Sequence, residues 1–228
     1  TAGHPLASFY GYQMAGIFQN QNEVNTSATL PNTKPGDVKY KDLNGDGKID
    51  DSDKTYIGSP FPKFTYGINL DLSYKQFDFT AFFQGSQGNK IFNTTDYWLQ
   101  TDISTNSSTA ILDRWTGEGT SNTVPRASFA SANNNSQLSS RFVKDGSYLR
   151  LKNVQIGYSF KDSFLKKSFI TKLRLYVAAQ NLLTFTKYDG LDPEAGVDPS
   201  QNSPLDIGID RGRYPSVRSY TLGLDINF

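Results

Sequence analysis

The residues best placed to do chemistry are the acids of one short stretch, Asp42-Leu43-Asn44-Gly45-Asp46-Gly47-Lys48-Ile49-Asp50-Asp51-Ser52-Asp53. Counted from Asp42, side-chain oxygens stand at loop positions 1, 3, 5, 9 and 12, supplied by Asp42, Asn44, Asp46, Asp50 and Asp53. Gly47 holds position 6, and Lys48 offers its backbone carbonyl at position 7. This is the spacing of an EF-hand calcium loop, with Asp53 in place of the usual bidentate Glu. Calcium takes six to eight hard oxygen ligands, and the glycine allows the sharp turn that brings successive ligands round one ion. Ile49 is expected to point inward and anchor the loop. Pro35-Gly36 precedes the stretch and Ile57-Gly58-Ser59-Pro60 follows it, which disfavours flanking helices. The expectation is a structural Ca²⁺ loop without a full EF-hand, its affinity weakened by the shorter Asp53. The competing reading is a solvated, Asx-rich turn that holds no ion.

Other chemistry is sparse. Zero cysteines exclude disulfide scaffolds, thiol catalysis and Cys-ligated zinc, and the single histidine, His4, leaves no second imidazole for a relay. No G-x-S-x-G elbow, phosphate-binding loop or H-E-x-x-H motif is present. Paired acids occur at Asp192/Glu194 and Asp206/Asp210, but loop carboxylates are usually solvated, so the chain reads as a non-enzyme. Tyr97-Trp98 and Trp115 lie in the longest polar stretch. They could stack on sugar rings or on a partner protein, or simply pack the loop, where Ile111 to Trp115 reads as a short amphipathic helix.

The elements that must carry these residues are strands. From Phe64 to Tyr74, the side chains Phe64, Tyr66, Ile68, Leu70, Leu72 and Tyr74 alternate with Thr65, Gly67, Asn69, Asp71 and Ser73. After Lys75-Gln76, the run from Phe77 to Gly85 places Phe77, Phe79, Ala81 and Phe83 on one face. Tyr148 to Phe160 alternates as Leu149, Leu151 and then Val154, Ile156, Tyr158, Phe160. Its phase slips at Lys152-Asn153, which predicts a β-bulge. Leu173, Leu175, Val177 and Ala179 form a fourth strand. Tyr220, Leu222, Leu224, Ile226 and Phe228 form a fifth, and a weaker strand is expected within Phe9 to Ile17.

Composition agrees with this reading. Aromatics make up 14% of the chain against 36% hydrophobic residues in total, with 19 glycines, which favours β structure. With 23 Lys and Arg against 22 Asp and Glu, the net charge is +1 and no basic block is present, which argues against nucleic acid as a partner. No run approaches the ~20 apolar residues of a spanning helix. The runs of alternating residues are, however, about the length of tilted strands that cross a bilayer. Short links (Lys75-Gln76 and Lys161 to Thr171) alternate with long polar ones (Ser86 to Gly146 and Leu183 to Pro215). That is how outer-membrane barrels distribute periplasmic turns and external loops. By this parity the C-terminus is periplasmic and the acidic loop extracellular.

Two regions are expected: residues 1–63, with a weak strand and the external acidic loop, and residues 64–228, with the barrel strands. The fold class is all-β, antiparallel, with about five or six strands of a larger, incomplete transmembrane barrel. Because the chain opens at Thr1 without Met or a signal peptide, it is expected to be a processed product or a piece of a longer protein. The rival class is a soluble, calcium-stabilised β domain for adhesion or glycan binding.

Several segments together carry a family resemblance. They are Gly3-His4-Pro5-Leu6-Ala7-Ser8-Phe9-Tyr10-Gly11, then Pro35-Gly36-Asp37-Val38-Lys39-Tyr40, then Ile57 to Gly67. Tyr148-Leu149-Arg150-Leu151-Lys152-Asn153, Gln180-Asn181-Leu182-Leu183 and Tyr188-Asp189-Gly190-Leu191-Asp192-Pro193-Glu194 complete the set. Collinear over nearly the whole chain, they resemble the C-terminal part of SusC/RagA-type TonB-linked outer-membrane transporters of Bacteroidetes. The tail, residues 221–228, is similar to the signal read by the barrel-assembly machinery, in which Thr221, Gly223, Ile226 and Phe228 would be the recognised positions. The resemblance implies a 22-stranded barrel with an N-terminal plug. It also implies coupling to the TonB complex and a SusD-like lipoprotein cap. The expected cargo is glycans or peptides, and the expected setting is outer-membrane lipid.

Overall fold

A computed structural model describes residues 3–101, 106–128, 134–161, 169–195 and 206–228. In chain order its strands are β1 Phe9–Tyr12, β2 Met14–Ile17, β3 Val38–Tyr40, β4 Lys54–Gly58, β5 Phe64–Tyr74 and β6 Phe77–Gln87. They continue with β7 Lys90–Asn93, β8 Val143–Asp145, β9 Tyr148–Ser159, β10 Lys172–Thr186, β11 Ile209–Asp210 and β12 Ser219–Asn227. Two short helices, α1 Gln21–Thr26 and α2 Thr94–Thr101, accompany them. The chain separates into two compact units that interleave in sequence. One comprises residues 1–61, 89–145 and 194–213, and the other residues 62–88, 146–193 and 214–228. The first crossing between units falls between Phe61 and Pro62. The described residues of the first long polar link between 89 and 145 fold with the N-terminal region rather than with the long strands.

The second unit is a five-stranded antiparallel sheet in the order β12-β10-β9-β6-β5, a meander in which every neighbour is the next long strand along the chain. All five expected long strands are present. The turn between β5 and β6 is two residues long, and Lys75 adopts a left-handed φ of 56° there. That conformation costs a residue with a Cβ about 1–2 kcal/mol relative to glycine. The expected bulge falls where the alternation slips. Phe82 pairs with Asn153 while Phe83 pairs with Leu151, so Lys152 is the extra residue of β9. The bulge lets Leu149 and Leu151 share a face with Val154, Ile156 and Tyr158 despite the broken period.

Two sequence expectations need correction. The fourth strand does not end near Gln180 but runs to Thr186. Asn181, at φ 50°, absorbs a register shift between Gln180 and Leu183 and donates its side-chain amide to the Val217 carbonyl at 3.0 Å. An irregularity mid-strand hides the continuation from a period-2 search. The short helix expected at Ile111 to Trp115 is a 3₁₀ turn over Thr109–Asp113, closed by the Ser108 hydroxyl on the Ala110 amide. The link Lys161 to Thr171 falls mostly outside the described residues.

The first unit holds small sheets built from β1 with β4, β2 with β3, and β7 with β8 and β11. Tyr12, Ile17, Val38, Tyr40 and Ile49 form its core cluster, with Met14, Leu30 and Trp115 packed against them. Asp37 is fully buried beside this core. The Arg126 guanidinium donates from Nε to Asp37 Oδ1 at 2.8 Å, the Asn135 amide donates to the same oxygen at 3.2 Å, and the Lys34 backbone N–H donates to Oδ2 at 2.8 Å. One carboxylate thus ties together segments far apart in sequence.

Candidate functional site: a one-sided apolar wall and an acidic loop

Register decides what the five-stranded sheet can do. Leu72, Phe79, Ile156, Val177 and Leu222 stand directly opposite one another across all five strands. The adjacent rows on the same face are Leu70, Ala81, Val154, Ala179 and Tyr220, and Tyr74, Phe77, Tyr158, Leu175 and Leu224. The apolar sets read from single strands therefore align into one continuous face, most of whose large side chains are exposed in this chain. Aromatic residues cluster towards its ends. The Phe64 and Tyr66 rings pack at 5.9 Å at one end, and the Phe77 and Tyr158 rings at 4.9 Å at the other. An exposed apolar face of this extent marks a surface that meets lipid or another protein.

The opposite face is polar. One row reads Asp71, Thr80, Gln155, Ala178 and Thr221, and the next Ser73, Asp78, Gly157, Tyr176 and Gly223. Arg174 reaches over β9 to Asp78 at 2.6 Å and also pairs with Asp225 at 3.0 Å. Gly157 makes this crossing possible, because a Cβ there would collide with both the Asp78 carboxylate and the guanidinium. The Tyr176 ring similarly covers Gly223, filling a gap in the pleat. Nearer the long links, Arg150 is only 3% exposed. It donates to Thr184 Oγ1 at 2.9 Å and to Asp192 Oδ1 at 2.6 Å, while the Ser216 N–H donates to Asp192 Oδ2 at 2.8 Å. The β5–β6 turn, the end of β9, the start of β10 and the end of β12 lie at the end of the sheet where Tyr74, Phe77 and Tyr158 sit.

The acidic loop forms a compact turn. Gly45 and Gly47 take φ of 78° and 84°, the left-handed values that glycine supplies at little cost. Asp42 accepts the Gly45 N–H at 2.6 Å on one oxygen and the Gly47 N–H at 2.9 Å on the other. The Asn44 side-chain oxygen accepts from the Asp46 N–H, and Asp46 accepts from the Lys48 N–H. Asp50 caps the following 3₁₀ turn through the Ser52 N–H. Asp53 is fully buried and uses both oxygens on backbone, accepting Leu43 N–H at 2.8 Å and Asp50 N–H at 2.9 Å. These backbone donors, the Asp50 N–H first, hold its carboxyl below the ordinary carboxylate range against the opposing effect of burial. Ile49 is buried in the core cluster, as its inward-facing role required. Among the described residues, no three or more Asp, Glu, His or Cys side chains gather as a ready metal cage. The carboxylates face the loop's own amides instead.

The remaining candidates divide. Tyr97 packs on Phe142 at 5.2 Å and on Phe92 at 6.3 Å, so it belongs to the interior of the loop, whereas its neighbour Trp98 is exposed. Trp115 lies against Gly36 and the core, the packing role. Asp192 is occupied by Arg150 and Ser216. Asp206 pairs with Arg211 at 3.1 Å, and Asp210, which is buried, caps Gly212. In the tail, Thr221, Gly223 and Ile226 lie in β12, and Phe228 stacks on Phe169 with ring centroids 5.5 Å apart. Sequence reasoning missed the Asp37–Arg126 and Arg150–Asp192 pairs. Nothing in local spacing signals them, since the partners lie on separate segments.

No family model matches the chain. TonB-dependent receptor P3 of Formosa agariphila is 44% identical over 99% of this chain and 22% of its own length. TonB-dependent receptor SusC of Bacteroides thetaiotaomicron is 28% identical over 99% of this chain and 20% of its own. Among solved structures, the RagAB peptide transporter superposes with a TM-score of 0.73 at 25% identity, covering 97% of this chain and 23% of that one. The RagAB peptide importer in its closed-closed state gives 0.72 at 26%. The chain thus spans less than a quarter of the length of each of these relatives. Along its whole length, it is homologous to one segment of the TonB-dependent receptors of the SusC and RagA kind.

Proposed function

We propose that this chain is a stretch of the barrel wall of a TonB-dependent outer-membrane importer of glycans or peptides. The observation that carries the reading is the alignment of five strands into one continuous apolar face backed by a polar one. In the bilayer the apolar face meets lipid and the polar face borders the lumen. The short connections and the end of β12 lie on the periplasmic side, with Thr221, Gly223, Ile226 and Phe228 forming the assembly signal. The long links and the acidic loop are extracellular, where a SusD-like lipoprotein caps the barrel. Coupling to the TonB complex falls to parts of the receptor beyond this segment. A five-stranded sheet has two open edges, which lipid does not tolerate, so the wall is completed by further strands. Fractionation of cell envelopes tests this reading. The polypeptide carrying this sequence is expected in the outer-membrane fraction at a mass several times 25.4 kDa. Recovery of a 25.4 kDa species in the soluble fraction would refute it.

The acidic loop is proposed to bind Ca²⁺ through Asp42, Asn44, Asp46, Asp50, Asp53 and the Lys48 carbonyl. Each amide bond in the loop uses one lone pair of an oxygen that carries two, so the ligand set remains chemically open. The ion would draw the four carboxylates of the loop round one centre, offset half of their charge and brace an external loop. Calcium at millimolar levels is expected to protect the bonds around Lys48 from trypsin near neutral pH, and Asp42→Ala to abolish that protection. Asp53 sets the sign of the pH effect. With its folded pKa depressed, its stabilising contribution is present above the ordinary carboxylate pKa and is lost as pH falls through the lower folded value. The loop itself should therefore loosen on acidification, read as faster hydrogen exchange of the Leu43 and Asp50 amides that Asp53 accepts. Trypsin cleavage that is indifferent to calcium in the wild type would leave the loop a solvated turn.

A further inference from the structure

At the turn end of the apolar face, Leu72, Tyr74, Phe77, Phe79 and Ile156 line an open notch of about 190 Å³, with Ser73 and Asp78, whose carboxylate is paired with Arg174, also on its border. This is below the ~300–1,000 Å³ of a small-molecule pocket and suits part of a single flexible hydrocarbon chain. Beside it lies Lys75, whose ammonium sits 5.1 Å from the centroid of the Tyr74 ring that walls the notch. Lys75 makes no ion pair among the described residues. It also occupies a left-handed position, φ 56°, where Asn or Gly would be unstrained. A strained residue that keeps an uncommitted cation at the mouth of an apolar notch calls for an anionic partner. The Gln76 carbonyl accepts the Ser159 N–H at 2.8 Å, holding the turn against the end of β9, so the cation is presented from a fixed frame.

We propose that this corner seats a glycerophospholipid of the periplasmic leaflet, with one acyl chain in the notch and the phosphate on Lys75. The inference rests on the barrel-wall reading and adds a ligand site to it. Apolar walls alone would accept any hydrocarbon. The single cation at the turn selects a lipid with a phosphate near the end of its chain, and the short-turn side selects the leaflet.

Native mass spectrometry of the membrane-extracted polypeptide, delipidated and then titrated with phosphatidylglycerol, tests the proposal. Saturable binding is expected, weakened about fivefold in Lys75→Asn, the order of one lysine's contribution at an anionic lipid surface. Lys75→Asn relieves the backbone strain, so its folding, read by heat-modifiable gel migration, should match or exceed the wild type. Leu72→Trp, which fills the notch, should weaken binding while leaving Lys75 in place. Equal phosphatidylglycerol binding by wild type and Lys75→Asn would overturn the site, as would preferential binding of lipid A. Failure of the wild-type polypeptide to enter the membrane fraction would instead overturn the barrel-wall reading.

Discussion

Leu70→Arg is expected to prevent membrane assembly, whereas Asn69→Arg, one residue away, is expected to be tolerated. Leu70 lies near the middle of β5 in the row Leu70, Ala81, Val154, Ala179 and Tyr220, and is 42% exposed. In the barrel wall, its side chain would lie near the bilayer midplane. Arginine there costs about 2–4 kcal/mol, falling towards the interfaces. Asn69 faces the other way, where a longer cation would extend into a hydrated interior. The measurement is the fraction of polypeptide that becomes heat-modifiable and protease-protected in the outer membrane. Because a strand's period is two, the contrast between neighbours tests the facing rather than general tolerance. Similar assembly of both variants would mean that the apolar face does not meet lipid.

The second large effect is expected at Asp37. Replacement by Ala removes three donors' common acceptor and strands the Arg126 guanidinium beside the core. Breaking a buried pair by deleting one partner typically costs 3–5 kcal/mol. The Arg126 side chain is 24% exposed, so water recovers part of its solvation and about 3 kcal/mol is the expected loss. The readout is proteolysis across a denaturant series at Lys39, which flanks the Asp37 network, with cleavage expected at a lower denaturant concentration in the variant. Replacing both members with apolar residues, Asp37→Leu with Arg126→Met, should recover much of the loss, since no charge is then left alone. A single-variant loss below about 1 kcal/mol would show that the carboxylate is not what ties these segments together.

The sheet was legible in the sequence because its code is local. Each long strand writes its facing in its own alternation, and even the fault at Lys152 appears as a slipped phase. The end of β10 escaped because the period breaks at Asn181, where the register against β9 shifts before the pairing resumes at Leu183. The first unit was much less readable. Strands of two to five residues carry too few side chains to show a period. Their partners come from distant segments, so tertiary packing rather than propensity decides that they are strands. The acidic loop shows the same division. Its turn chemistry and the inward Ile49 followed from spacing, whereas the burial of Asp53 as a double acceptor depends on how the loop docks.

The interleaving of the two units has a kinetic consequence. β7 receives β8 on one side and β11 on the other, and Ile209 pairs in parallel with Phe92 across about half of the chain. Hairpins such as β5–β6 close a two-residue turn and can form early, whereas the β7–β11 pair must close a very long loop. This small sheet therefore completes late, after the strands that separate its pieces have been made. In the proposed topology, such an element finished last would act as a record that both long links were delivered to the same side. A chain with one link stranded on the wrong side would leave β7 with a bare edge, open to proteases and to neighbouring strands.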